Sequence, residues 1–182
     1  MTGLLLLLST ALAGDEYKVD NGHSAVIFKA QHFGAGYTYG RFNEFEGGFE
    51  AEGETLESIN VTVQAASVDT NIAKRDGHLA NADYLNAKEF PAITFTSTSI
   101  GAKGEGVFAV TGDLTLHGTT KSVTVDMTHT GEGKDPFGGY RQGWEGSFMV
   151  DAHEYGVGVD QKGSGKDITL ILAIEGTKKK LQ

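Results

Sequence analysis

Residues 17–49, YKVDNGHSAVIFKAQHFGAGYTYGRFNEFEGGF, decide the fold. From residue 24 to residue 32, Val26, Phe28, Ala30 and His32 share one face of an extended chain, and Ile27, Lys29 and Gln31 share the other. A glycine-rich turn follows and an alternating run returns from it, the pattern of two neighbouring antiparallel strands. One face of that pair needs an interior, and the other residues must supply it.

Outward from this pair the same alternation recurs. Residues 56–70 set Ile59, Val61, Val63 and Ala65 against Asn60, Thr62, Gln64 and Ala66, a strand with one wet face. Residues 92–100, 105–118, 120–131, 140–152 and 166–176 repeat it, each bounded by Gly, Asp, Lys or Thr clusters. One helix is predicted over about 73–90, where Leu79, Ala82 and Leu85 recur at helical spacing, Gly77 weakens the first turn and Pro91 marks the stop. About eight strands result, several longer than the roughly six residues usual in sandwiches. Long strands in even number close most economically into an all-β, eight-stranded antiparallel barrel, which leaves no exposed edge. Such a barrel is wide enough to be filled by side chains or to hold one small ligand. The inward set Val26, Phe28, Phe45, Phe49, Val61, Val63, Ile93, Phe95, Phe108, Val110, Leu114, Leu116, Val123, Val125, Trp144, Phe148, Leu170 and Leu172 carries no charge, and it fits a solid core as well as a ligand wall.

Composition narrows the function. The 182 residues fit one domain over 14–182, large enough to fold without staples. The absence of cysteine excludes disulfides, thiolate metal sites and cysteine nucleophiles. A net charge of −9 argues against nucleic acid, whose phosphates require a basic footprint. At the N-terminus a leucine run precedes Ala11-Leu12-Ala13, a small-x-small cleavage pattern, so residues 1–13 read as a signal peptide and the mature chain as periplasmic or secreted. The run falls short of the roughly 20 residues that span a bilayer. Gly14 stands where a lipid-anchored protein would need a cysteine.

No catalytic or metal-binding residue stands out. His23, His32, His78, His117, His129 and His153 are dispersed, without zinc-site spacing. His117 and His129 flank a predicted hairpin and could meet near Asp113 or Asp126, the basis for a histidine- or metal-dependent alternative. His23 and Ser24 point to opposite faces of a strand, and no nucleophile elbow occurs. GSGKD at 163–167 lacks the leading glycine and the Ser or Thr of a phosphate loop, and reads as a turn.

In order along the chain, YKVD with His23-Ser24, GRFNEFEG (40–47), SVDT (67–70), RDGHL (75–79), FPAITFTST (90–98), VTGDLTLHGTTKSV (110–123), GWEGSF (143–148) and HEYGV (153–157) resemble the YceI-like family of exported polyisoprenoid-binding proteins. The resemblance runs from Tyr17 to about Glu175 and rests on the ordered set of motifs. It implies a lipocalin-like barrel capped by the inserted helix, with an isoprenoid or quinone-like amphiphile in a tunnel, no shared catalytic residues and no cofactor. It further implies a periplasmic, stress-related role and, as in some relatives, a homodimer; a carrier that exchanges such a lipid with a bilayer would also make transient membrane contact. In that setting the inward set becomes the candidate ligand wall and His32 a polar group near one tunnel end. Where relatives tend to carry a basic residue, this chain has Asp151-Ala152-His153-Glu154-Tyr155-Gly156. The alternatives are a histidine-dependent enzyme acting on lipids at the barrel mouth and a solid-cored stress module acting through its surface.

Overall fold

The computed structural model describes residues 14–161 and 163–178; residues 1–13, expected to be a signal peptide, lie outside them. The strands are β1 (Asp15–Val19), β2 (Ala25–His32), β3 (Gly36–Phe42), β4 (Phe45–Glu52), β5 (Thr55–Gln64), β6 (Val68–Asp69), β7 (Ala92–Gly104), β8 (Val107–Leu116), β9 (Thr119–Lys134), β10 (Tyr140–Asp151) and β11 (Ser164–Lys178), with one helix, α1 (Ala73–Ala80), between β6 and β7. Every pairing is antiparallel. Because β1 pairs with both β4 and β11, β1-β4-β5-β7-β8-β9-β10-β11 closes into an eight-stranded barrel, as the strand count predicts.

The three remaining strands are continuations. β2 runs on from β1 along the same edge of β11, β3 lies against β2, and β6 against β3. Three long barrel strands are therefore each broken once, and the breaks are built from polar side chains. At the first, the Ser24 hydroxyl donates to the Glu175 carbonyl (3.2 Å) and accepts from the Glu175 N–H (2.9 Å), replacing a rung of the ladder. At the second and third, the Ser67 hydroxyl accepts from the Glu44 N–H (3.0 Å) and donates to the Gln64 carbonyl (2.8 Å). Backbone groups freed by the breaks stay satisfied, which lets β2, β3 and β6 diverge from the lower barrel at little cost.

Between β6 and β7 the ladder stops and residues 70–91 fill the gap. The predicted helix is there but shorter: it ends at Ala80, and the Asn81 N–H turns back to the His78 carbonyl. Beyond it the Asn86 N–H reaches the Asn81 carbonyl and the Ala87 N–H the Ala80 carbonyl, a chain of turns with Asn86 at positive φ. Asn81, Asp83 and Asn86 account for the early stop, since short amide and carboxylate side chains compete for backbone groups and disfavour helix interiors. The cap is pinned at its start, where the Asp76 carboxylate accepts from the Thr70 N–H (2.8 Å) and Arg75 donates from Nε to the Thr70 hydroxyl and from Nη2 to the Thr70 carbonyl (2.7 Å each). The SVDT and RDGHL motifs are thus two halves of one anchor.

Candidate functional site

The two ends of the barrel are filled differently. At the end holding the β4–β5 and β7–β8 turns, inward side chains from four strands meet. Tyr17 stacks on Phe49 with centroids 4.8 Å apart, and the Trp144 indole stands edge-on to Phe49 (6.3 Å) and Phe108 (5.6 Å). Trp144, Phe49 and Tyr17 are 1%, 2% and 3% exposed. A Cβ at Gly176 would lie 2.3 Å from Phe49 Cε1, so the ring can cross β11 only because that residue is glycine. Gln142 closes the floor, its side-chain amide donating to the Gly53 carbonyl at 2.7 Å.

Toward the other end, where β2–β3, β8–β9 and the cap lie, the barrel is hollow. A cavity of about 190 Å³ sits between the walls and opens at the mouth. Inward side chains here are only partly buried although they point into the barrel, among them Ile93, Phe95, Phe148, Ile168, Leu170 and Leu172. That exposure is to the cavity. The polar residues along the lining all lie near the mouth: Tyr84 in the cap, His153 after β10 and, at the start of β7, Thr94, which contributes backbone because its side chain alternates with the inward Ile93 and Phe95 and shares the outer face with its partners Thr62 and Thr115. A long apolar interior with polar groups gathered at one end suits an amphiphile lying tail inward; water finds few partners deeper in.

Of the residues marked from sequence, Val26, Phe28, Val61, Val63, Ile93, Phe95, Val110, Leu114, Leu116, Val125, Phe148, Leu170 and Leu172 line this cavity, and Val123 packs beside Leu114 and Val150 instead. Phe45, Phe49, Phe108 and Trp144 do not; they belong to the packed core, with the last three in the floor, because period-two alternation reports the inward face and not the height along the barrel. His32 also lies off the wall. It is exposed at the tip of the β2–β3 hairpin, its ring 4.4 Å from Phe33, because β2 outruns the cavity. The cavity wall further includes Ile59, which shares the apolar face of Val61 and Val63, together with Phe42, Val68, Ile168, Ile174 and the cap side chains Leu79, Tyr84 and Leu85, which the sequence reading does not place there. Ile168 and Ile174 extend the alternation of Leu170 and Leu172 and were readable from it.

The histidine constellation does not form. His117 sits in the β8–β9 turn at the mouth, its Nδ1 3.2 Å from the Tyr155 carbonyl, whereas His129 packs on Trp144 (5.0 Å) in the floor. About ten residues of β9 separate them, roughly 30 Å of extended chain. Asp20, His23 and Glu175 do cluster, but Arg141 Nη1 donates to Asp20 at 2.8 Å and to Glu175, so those carboxylates already hold a cation. The Arg141 hydrogen bond keeps the Asp20 carboxyl below its ordinary pKa, and the two acids push the guanidinium above its own. Burial raises the Tyr155 phenol beneath the mouth.

A closed antiparallel barrel of eight strands around an apolar pocket defines a lipocalin-like protein. The description "YceI-like domain" matches residues 17–176. A UPF0312 protein of Serratia proteamaculans is 41% identical over 97% of this chain and 93% of its own. The chain belongs to the YceI-like family. Among solved structures, BcnA of Burkholderia cenocepacia superposes with a TM-score of 0.78 at 24% identity, covering 86% of this chain and 98% of that one. A polyisoprenoid binding domain from Saccharophagus degradans, described as implicated in plant cell wall breakdown, gives 0.70 at 14% identity over 89% and 98%. At these identities the likeness is one of fold.

Proposed function

We propose that this protein is an exported, non-enzymatic carrier that holds a long-chain isoprenoid or quinone-like lipid in its barrel, working in the periplasm or after secretion. The observation that carries the reading is the cavity: apolar through its depth, bounded below by the aromatic floor, with Tyr84 and His153 near the mouth where a head group would lie. The likeness to a polyisoprenoid binding domain supports the ligand class. Export rests on the pattern of residues 1–13, and a homodimer on the family resemblance.

The energetics suit exchange rather than permanent capture. Each methylene withdrawn from water contributes about 0.8 kcal/mol, so a long chain is held firmly against water. A bilayer solvates the same chain equally well, which leaves transfer between membrane and barrel close to neutral. Organic extraction of protein purified from the periplasmic fraction, followed by mass spectrometry, is expected to yield a co-purifying amphiphile with a long apolar chain. Protein that emerges empty and takes up neither an added quinone nor a prenyl alcohol would refute the carrier. Sequencing of the same sample should begin at Gly14 if residues 1–13 are removed on export.

A further inference from the structure

Seven large apolar side chains are strongly exposed among the described residues: Phe33, Tyr37, Tyr39, Ile72, Phe137, Met149 and Val159. Scattered singly they would need no explanation. Six of them share the mouth end. Phe33 and Tyr37 flank the β2–β3 hairpin tip and Tyr39 follows on β3; Ile72 immediately precedes α1, Val159 lies between β10 and β11, and Met149 is two residues from the end of β10. Phe137, in the β9–β10 turn, is the one at the floor end.

Acidic groups run without cations through part of the floor, whereas the mouth carries both signs, with Asp76, Glu89 and Glu154 beside its lysines. Residues 44–57, which span β4, the β4–β5 turn and the start of β5, hold six carboxylates and no Lys or Arg. At the mouth, Lys29, Lys74 and Lys88 have no carboxylate within ion-pair reach among the described residues, as is also true of Lys18 and Lys134 toward the floor. The Lys29 ammonium lies 4.0 Å from the Tyr37 ring centroid, placing a cation beside an amphipathic ring as at membrane interfaces. β3 adds a third constraint. It is paired with β2 along its length but with β6 only at Arg41 and Phe42, so residues 36–40 keep one free backbone edge. An unpaired edge cannot enter hydrocarbon, but it is satisfied at head-group depth.

We propose that the mouth rim docks on a lipid bilayer bearing anionic head groups, with the hairpin and Ile72 seated at the acyl boundary and the acidic floor turned outward. Docking brings the cavity opening to the membrane, so that an apolar tail passes between them without crossing bulk water. The transfer role rests on the carrier reading; the docking surface does not.

The test is flotation with vesicles of equal parts phosphatidylcholine and phosphatidylglycerol. Wild-type protein is expected to float with them, less so at high salt. The triple variant Phe33→Ser, Tyr37→Ser, Ile72→Ser should lose about tenfold or more in bound fraction, since each exposed side chain contributes partial apolar burial. Phe137→Ser, at the opposite end, should float as wild type. Circular dichroism checks the fold of both, and uptake of a prenyl alcohol from detergent micelles should be unaltered in the triple variant. Failure of the wild type to float overturns the proposal, as does a triple variant that floats normally or an equal loss in Phe137→Ser. A wild-type dimer that the triple variant abolishes while its flotation persists would assign the rim to a second copy of the chain instead. If neither protein accepts the alcohol from micelles, the carrier reading fails while flotation still reports on docking.

Discussion

The floor and the mouth of this barrel are made from the same strands with the same alternation, yet one is solid and the other hollow. In the floor, rings from β1, β4, β8 and β10 stack or meet edge to face across the axis, and their residues are almost wholly buried. In the upper half, three consecutive breaks let β2, β3 and β6 swing outward, the β6–β7 ladder is missing, and Leu, Ile, Val and Phe side chains pack along the walls around a cavity instead of filling it. Apolar character is therefore spent on stability below and on solvation of cargo above. The lesson is that hydrophobic patterning fixes which side faces inward, while strand divergence fixes whether that side is core or cavity.

The sharpest way to break this comparison is to truncate one ring from each half. Trp144→Ala removes the side chain around which the floor rings meet and should cost about 3–5 kcal/mol in urea unfolding, because the rigid surroundings cannot collapse into the gap. Phe95→Ala, whose ring already borders empty space, should cost only about 1–2 kcal/mol and admit bulkier tails in uptake assays. Equal losses at the two positions would mean that the upper half is packed as tightly as the floor.

A smaller effect tests the electrostatic clasp at the first strand break, where Arg141 holds Asp20, Glu175 and Asp135 together. The Asp20 carboxyl is depressed below its ordinary 3.8, so its contribution to stability is fully present above the unfolded value and fades as pH falls through the folded one. Arg141→Gln should therefore be less stable than wild type at neutral pH, with the gap closing below about pH 4 as the carboxylates protonate. A gap that persisted in acid would mean that Arg141 acts through packing instead of charge.

Much of this architecture was legible in the linear pattern. The alternation around Phe28, Val61, Phe95, Val110 and Leu170 gave the strand count and the inward face, because side chains on an extended chain alternate whatever the fold. The same logic misplaced Phe49, Phe108 and Trp144, which share the inward face with the cavity wall but lie below it. The helix was overextended to residue 90 because Leu79, Ala82 and Leu85 keep a helical spacing, while the turn-forming Asn81, Asp83 and Asn86 between them carry more weight. His117 and His129 could be paired only on the assumption of a short hairpin; β9 is 16 residues long and carries them to opposite ends.

The amino-acid sequence by itself determined an all-β barrel of eight long strands with an apolar interior, since backbone geometry forces period-two alternation and closure removes the edges. Only the tertiary structure decided that this interior is half floor and half cavity. That division depends on where side chains from different strands meet across the axis and where Ser24 and Ser67 let strands part, relations among residues far apart in the chain that no local pattern encodes.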